Sequence, residues 1–194
     1  MLDIIGADLF QPTRRRVSGK EIIVLLAVFL AGLALRVFCW RNSGAISRDA
    51  ATYLDIAERL AECDNVGDFF FREDVLSSPP LFVWLISCGV RLGLSSELVG
   101  LWLNLLSGAM FPLVVWAMFR FANCKREIAF SGAALSALHP SLVGLSIEIQ
   151  RDMPYLFCIG LALLFLQMGC NDFRKFHLWL SAGDLLWRIR HDKG

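Results

Sequence analysis

Charge is scarce in this chain. Of its 194 residues only 19% are Asp, Glu, Lys or Arg, while 56% are hydrophobic and the mean hydropathy is +0.56. Soluble domains carry about a quarter charged residues, so this deficit excludes an ordinary soluble fold and indicates a multi-spanning membrane protein. The formal net charge is +1, the pI is near 7.6, and the basic residues stand in small separated groups. That balance excludes polyanion recognition, and no nucleic-acid partner is expected. C-x-x-C pairs are also missing. Cys39, Cys63, Cys88, Cys124, Cys158 and Cys170 lie mostly in apolar runs, where a thiol behaves as a small hydrophobe, so neither a zinc framework nor a disulfide scaffold is expected. Asn-x-Ser/Thr sequons are absent, and the first apolar run is too long for a cleaved leader, with no small-x-small site after it. A bacterial inner membrane is the expected location.

What is present is a series of apolar runs of membrane length. Residues 1–20 carry Arg14, Arg15, Arg16 and Lys20 beside the first run, which by the positive-inside rule predicts a cytoplasmic N-terminus. The first span is expected over 22–40. Arg36 lies one turn before its outer end, where a guanidinium can snorkel to the headgroups or pair with an acid of the following loop.

The stretch 41–97 then changes character, with nine acids against five arginines and no run of spanning length until its end, as suits an external loop. Its first part, Ser47-Arg48-Asp49-Ala50-Ala51-Thr52-Tyr53-Leu54-Asp55-Ile56-Ala57-Glu58-Arg59-Leu60, predicts an amphipathic helix at the interface. Ala50, Tyr53, Leu54, Ala57, Leu60 and Ala61 form one face, and Asp55, Glu58, Arg59 and Glu62 the other. A turn is expected over 64–68, an aromatic cluster at Phe69-Phe70-Phe71, and a cap at Ser77-Ser78 before Pro79-Pro80. The helix that follows, 81–92, is too short to span and reads as a second interfacial or re-entrant element.

Further spans are expected over 98–119, 128–147 and 153–170. Arg120, Lys125 and Arg126 lie between the first two of these, on the cytoplasmic side. His139-Pro140 falls past the middle of 128–147, and Glu148-Ile149-Gln150-Arg151-Asp152 after it faces the same side as Asp49. The segment 176–194, with Asp184 inside its apolar piece, reads as an incomplete fifth span and tail. The expected fold is therefore all-α: a polytopic membrane helix bundle with interfacial juxtamembrane helices in the first external loop.

In order along the chain, the basic N-terminus, Ala34-Leu35-Arg36-Val37, Arg48-Asp49-Ala50-Ala51-Thr52-Tyr53, Gly67-Asp68-Phe69-Phe70, Pro79-Pro80-Leu81-Phe82-Val83-Trp84-Leu85, Ser96-Glu97-Leu98 and Leu138-His139-Pro140 followed by Arg151-Asp152 resemble the GT-C membrane glycosyltransferases. The groups most similar are the dolichyl-phosphate-mannose protein mannosyltransferases and the bacterial lipid A aminoarabinose transferases. The resemblance covers about residues 20–175 and lies in the order of the motifs. It implies a polyprenyl-phosphate-linked sugar as donor partner within membrane lipid, an acceptor it does not identify, and no certain cofactor, a divalent metal being left open because family members differ on metal use. The family's acid in the first external loop, taken as catalytic base or acceptor-positioning group, matches Asp49. Many relatives place a second acid beside it, whereas this chain has Arg48-Asp49-Ala50. Family members also continue through many more spans, and a fragment or truncated relative is expected here.

Such a transfer needs a carboxylate to deprotonate or orient the acceptor and cations to stabilise the departing lipid phosphate. Asp49 can fill the first role; Arg36, Arg48 and Arg151 can contribute to the second. Tyr53 and Asp152 complete the candidate substrate-binding set, and Glu148 with Asp152 can offer oxygens to a divalent cation. Plainer readings stand beside these. Asp49 can be only a first-turn charge on the helix dipole, Arg151 and Asp152 can pair with each other, Tyr53 can be an interfacial anchor, and His139 a satisfied membrane-helix histidine. A non-catalytic membrane scaffold is the alternative function.

Overall fold

A computed structural model of the chain describes residues 18–43, 47–63 and 79–171, and everything said below of its structure concerns these. The turn at 64–68, the aromatic cluster, the Ser77-Ser78 cap and the fifth span lie outside them. The described residues form seven helices: α1 Gly19–Ser43, α2 Arg48–Glu62, α3 Pro80–Arg91, α4 Ser96–Phe121, α5 Arg126–Leu138, α6 Pro140–Ile147 and α7 Asp152–Asn171. The all-helical membrane bundle is thus what the chain forms. α1, α4 and the stretch Asp152–Gly169 of α7 are each long and apolar enough to cross a bilayer.

Local chemistry starts and stops these helices. α1 opens on a capping box: the Ser18 backbone N–H donates to Glu21 Oε2 at 2.9 Å, and the Glu21 N–H to Ser18 Oγ at 3.3 Å. The other oxygen of Glu21, a residue only 4% exposed, pairs with Arg126 Nε at 3.4 Å and so ties the start of α1 to the start of α5. α3 ends in a Schellman turn. Leu94 N–H bonds Gly89 O, Gly93 N–H bonds Val90 O, and Gly93 takes the left-handed φ of +84° that the motif requires. Gly93→Ala is expected to lower stability by about 1 kcal/mol through that φ alone, since nothing crowds the site. A lower thermal midpoint of the solubilised protein would show it. Asn123, at φ +59°, closes α4 with the same pair of bonds.

α4 is the axis of the bundle. It packs against each of the other six helices, and 44% of its span residues are buried among the described residues, against 11% in α1 and 17% in α7. Two apolar clusters flank it. One joins α2 and α3 to its first half through Leu54, Ile56, Leu60, Phe82, Ile86, Leu101 and Leu105; the other joins α5 to its second half through Trp116, Ala129 and Ala133.

Two expectations change. The run 128–147, read as one span, is two helices bent by 50° at His139-Pro140, which together reach the length of one broken crossing. Proline has no N–H for the carbonyl a turn earlier, and its ring clashes there, so the helix stops and restarts. Arg36 neither snorkels nor meets an acid: it is 0% exposed, turned into the bundle.

Candidate functional site

The ends of the spans opposite the Glu21–Arg126 pair gather α2, α3, the start of α4 and the 148–152 segment. α2 forms because Ser47 caps it, its Oγ accepting from the Ala50 N–H at 3.2 Å. It packs against α3 and α4 because Ala50, Leu54, Ala57 and Leu60 recur at helical spacing and are buried. Ile56 is buried too, a position outside the expected apolar face. Its far end is fixed by Arg91 of α3, whose Nη2 donates to Leu60 O at 3.1 Å and Cys63 O at 2.7 Å. Ser96, at the start of α4, donates its hydroxyl to Glu58. Arg91→Met is expected to weaken the last turn of α2 by about 1 kcal/mol, seen as faster hydrogen exchange there.

Asp49 stands in the first turn of α2, exposed, with no side-chain hydrogen bond or ion pair among the described residues. It is therefore a carboxylate held in place by its backbone and open to whatever approaches. Arg48 beside it is exposed as well. Tyr53, half-buried, meets the Phe82 ring edge-on with centroids 5.9 Å apart, so this side chain anchors α2 to α3.

The 148–152 segment comes onto the start of α4 beside α2. A Cβ on Gly100 would lie 2.8 Å from Ile149 Cγ2 and 3.5 Å from Leu54 Cδ2, so α2 and this segment converge on the start of α4. Arg151 Nε and Asp152 Oδ1 are 4.0 Å apart with both side chains about half exposed (54% and 53%), a loose pair that water can open. Gln150 Nε2 donates to Glu148 Oε2 at 2.8 Å. No group of three or more His, Cys, Asp or Glu positioned to hold a metal occurs among the described residues.

Arg36 is not part of this surface. Within the spans its Nε donates to Ser146 Oγ at 3.1 Å and its Nη1 to Gly32 O at 3.0 Å and Ala137 O at 3.2 Å. Toward the α2 end of α1, a shallow apolar groove lined by Leu30, Leu33, Ala34, Val37 and Phe38 ends at Arg41. Sequence reasoning passed over Arg41, Gly108 and Ser146, and gave Arg91 and Ser96 no contact of their own. Only Arg41 carried a signal, as a cation just beyond a span.

No curated protein and no solved structure matches the chain. The profile described as dolichyl-phosphate-mannose-protein mannosyltransferase matches residues 77–186. The match takes in α3 to α7 and leaves Arg36, Arg48, Asp49 and Tyr53 before its start. Covering more than half of the 194 residues and falling on an all-helical membrane bundle, it establishes that the chain belongs to the dolichyl-phosphate-mannose-protein mannosyltransferase family, membrane glycosyltransferases of the GT-C kind.

Proposed function

We propose that the chain acts in transfer of a sugar from a polyprenyl-phosphate carrier to an acceptor hydroxyl at the external face of a bacterial inner membrane, with Asp49 as the base. The observation that carries this is the exposed Asp49 carboxylate, unpaired among the described residues, on a helix anchored at the span ends, with Arg48 on the same turn and Arg151 on the segment that packs with α2 on the start of α4. The acceptor oxygen attacks the anomeric carbon, the bond from that carbon to the phosphate oxygen breaks, Asp49 takes the acceptor proton, and the polyprenyl phosphate departs with the electron pair. Arg48 and Arg151 supply the cations that offset the charge growing on the leaving phosphate.

Three further features support the reading. The groove on α1 offers an apolar bed for an isoprenoid chain, with Arg41 at its headgroup end. Lys20, Arg120, Lys125 and Arg126 gather at the end opposite Asp49, which favours a cytoplasmic N-terminus and an external site. Tyr53 borders the site and shapes its floor from the Phe82 contact. Asp152, loosely tied to Arg151, can exchange that partner for substrate.

The test is reconstitution of the full chain in liposomes holding a polyprenyl-phosphate-linked sugar. Acceptor-dependent release of free polyprenyl phosphate is expected. Transfer from a soluble nucleotide sugar with the lipid-linked donor untouched would refute it.

A further inference from the structure

We infer that Arg36 is the clamp that holds the broken span α5–α6 bent, and so sets where the 148–152 segment meets α2. One guanidinium reaches both sides of the break. Its Nη1 donates to the carbonyl of Ala137, in the last turn of α5, and its Nε to the hydroxyl of Ser146, in the last turn of α6. A third bond, from Nη1 to Gly32 O, ties the guanidinium back to its own helix, so the grip is made from α1 and is not free to follow the break. Ser146 in turn donates to Leu142 O, which fixes the hydroxyl that Arg36 holds.

The space for this grip comes from α4. A Cβ on Gly108 would fall 2.1 Å from Ser146 Oγ and 2.7 Å from Arg36 Nε, so α1, α4 and α6 meet around the arginine at a distance only glycine permits. At a helix end the last carbonyls lose their helical donors, and inside a bilayer no water replaces them. A fully buried cation is itself costly at this depth, and Arg36 even leaves its Nη2 without a partner. Lysine, a point donor, cannot present two separated N–H groups to both sides of the break as the planar fork does. An arginine that served only to face the headgroups would not be turned inward.

The consequence appears at the outer end. The 50° bend acts over the eight residues of α6, about 12 Å at 1.5 Å per residue, so straightening would carry Glu148 through roughly 10 Å. Bent, the span delivers Ile149 onto Gly100 next to Leu54. Arg36 is thus a positioning residue for Arg151 and Asp152. It rests on the proposed function only for that catalytic consequence; the clamp itself is structural.

The experiment is double electron–electron resonance on the full chain in liposomes, with spin labels at the exposed positions Thr52 and Glu148. Pro140→Ala alone is expected to keep the parent distance, because the clamp still holds. Arg36→Met with Pro140→Ala is expected to move the mean by about 5–10 Å, as the restored N–H lets the span straighten. Ser146→Ala with Pro140→Ala, which removes one arm and keeps the charge, is expected to add a displaced second population, and it decides the matter if the arginine variant does not fold. Straightening by Pro140→Ala with Arg36 in place, or a parent distance in the Ser146→Ala double variant, would overturn the clamp. Sugar transfer is not read, so failure here leaves the role of Asp49 standing, and loss of that role leaves the clamp standing.

Discussion

Asp49→Asn is expected to lower sugar transfer by about 10²–10⁴-fold, the range over which a positioned general base contributes. The amide keeps the shape of the side chain but cannot take the acceptor proton. The helix should survive the change, because Ser47 supplies its cap and the buried Ala50, Leu54, Ala57 and Leu60 supply its adhesion. Lost favourable charge at the first turn costs only about 0.3–1 kcal/mol. The expected pattern is therefore a fall in kcat with a thermal midpoint lowered by no more than about 4 °C and little change in donor KM. Asp49→Glu should recover part of the rate, since the carboxylate returns one methylene out of place. Arg48→Gln should act differently, by slowing departure of the phosphate. Parent activity in Asp49→Asn would reduce Asp49 to a first-turn charge.

Gly108→Ala is expected to destabilise the bundle by about 1–3 kcal/mol, the usual cost of forcing a methyl into a packed interior. The new Cβ would press on Ser146 Oγ at 2.1 Å, Ser146 Cβ at 2.7 Å and Arg36 Nε at 2.7 Å. None of these can retreat easily, because Arg36 is fully buried and bonded to two other helices, and Ser146 is buried as well. Gly108→Leu should prevent α1, α4 and α6 from meeting at all, and the solubilised protein should run as aggregate. Ser146→Gly combined with Gly108→Ala removes both serine contacts and should recover part of the lost midpoint. At Gly144, by contrast, a Cβ meets nothing within 4 Å, so alanine there serves as the neutral control.

Much of the architecture could be read directly from the residues, because membrane length and helical periodicity are local properties. The apolar spacing of Ala50, Leu54, Ala57 and Leu60 gave the buried face of α2, and Ser47 with Asp49 its start. Ile56 escaped because it is buried by the way α3 and α4 wrap α2, which no single-helix pattern contains. Pro140 announced an irregularity, but the angle of the break follows from partners brought in from α1 and α4. Arg36 shows the limit most clearly. An arginine near the end of a span ordinarily turns to the headgroups, and what turns this one inward is a serine 110 positions away in sequence. Arg91 on the carbonyls of Leu60 and Cys63 is another contact made only by the fold.

The proposed placement of Asp49 on the external side of the membrane, opposite the basic end, is tested most directly by thiol labelling in sealed vesicles of known orientation. In a background stripped of native cysteine, Asp49→Cys and Arg151→Cys should react with an impermeant maleimide from the external side only, and a retained Cys124 from the cytoplasmic side only. Reaction of Asp49→Cys from the same side as Cys124 would place the carboxylate on the wrong face and contradict the account.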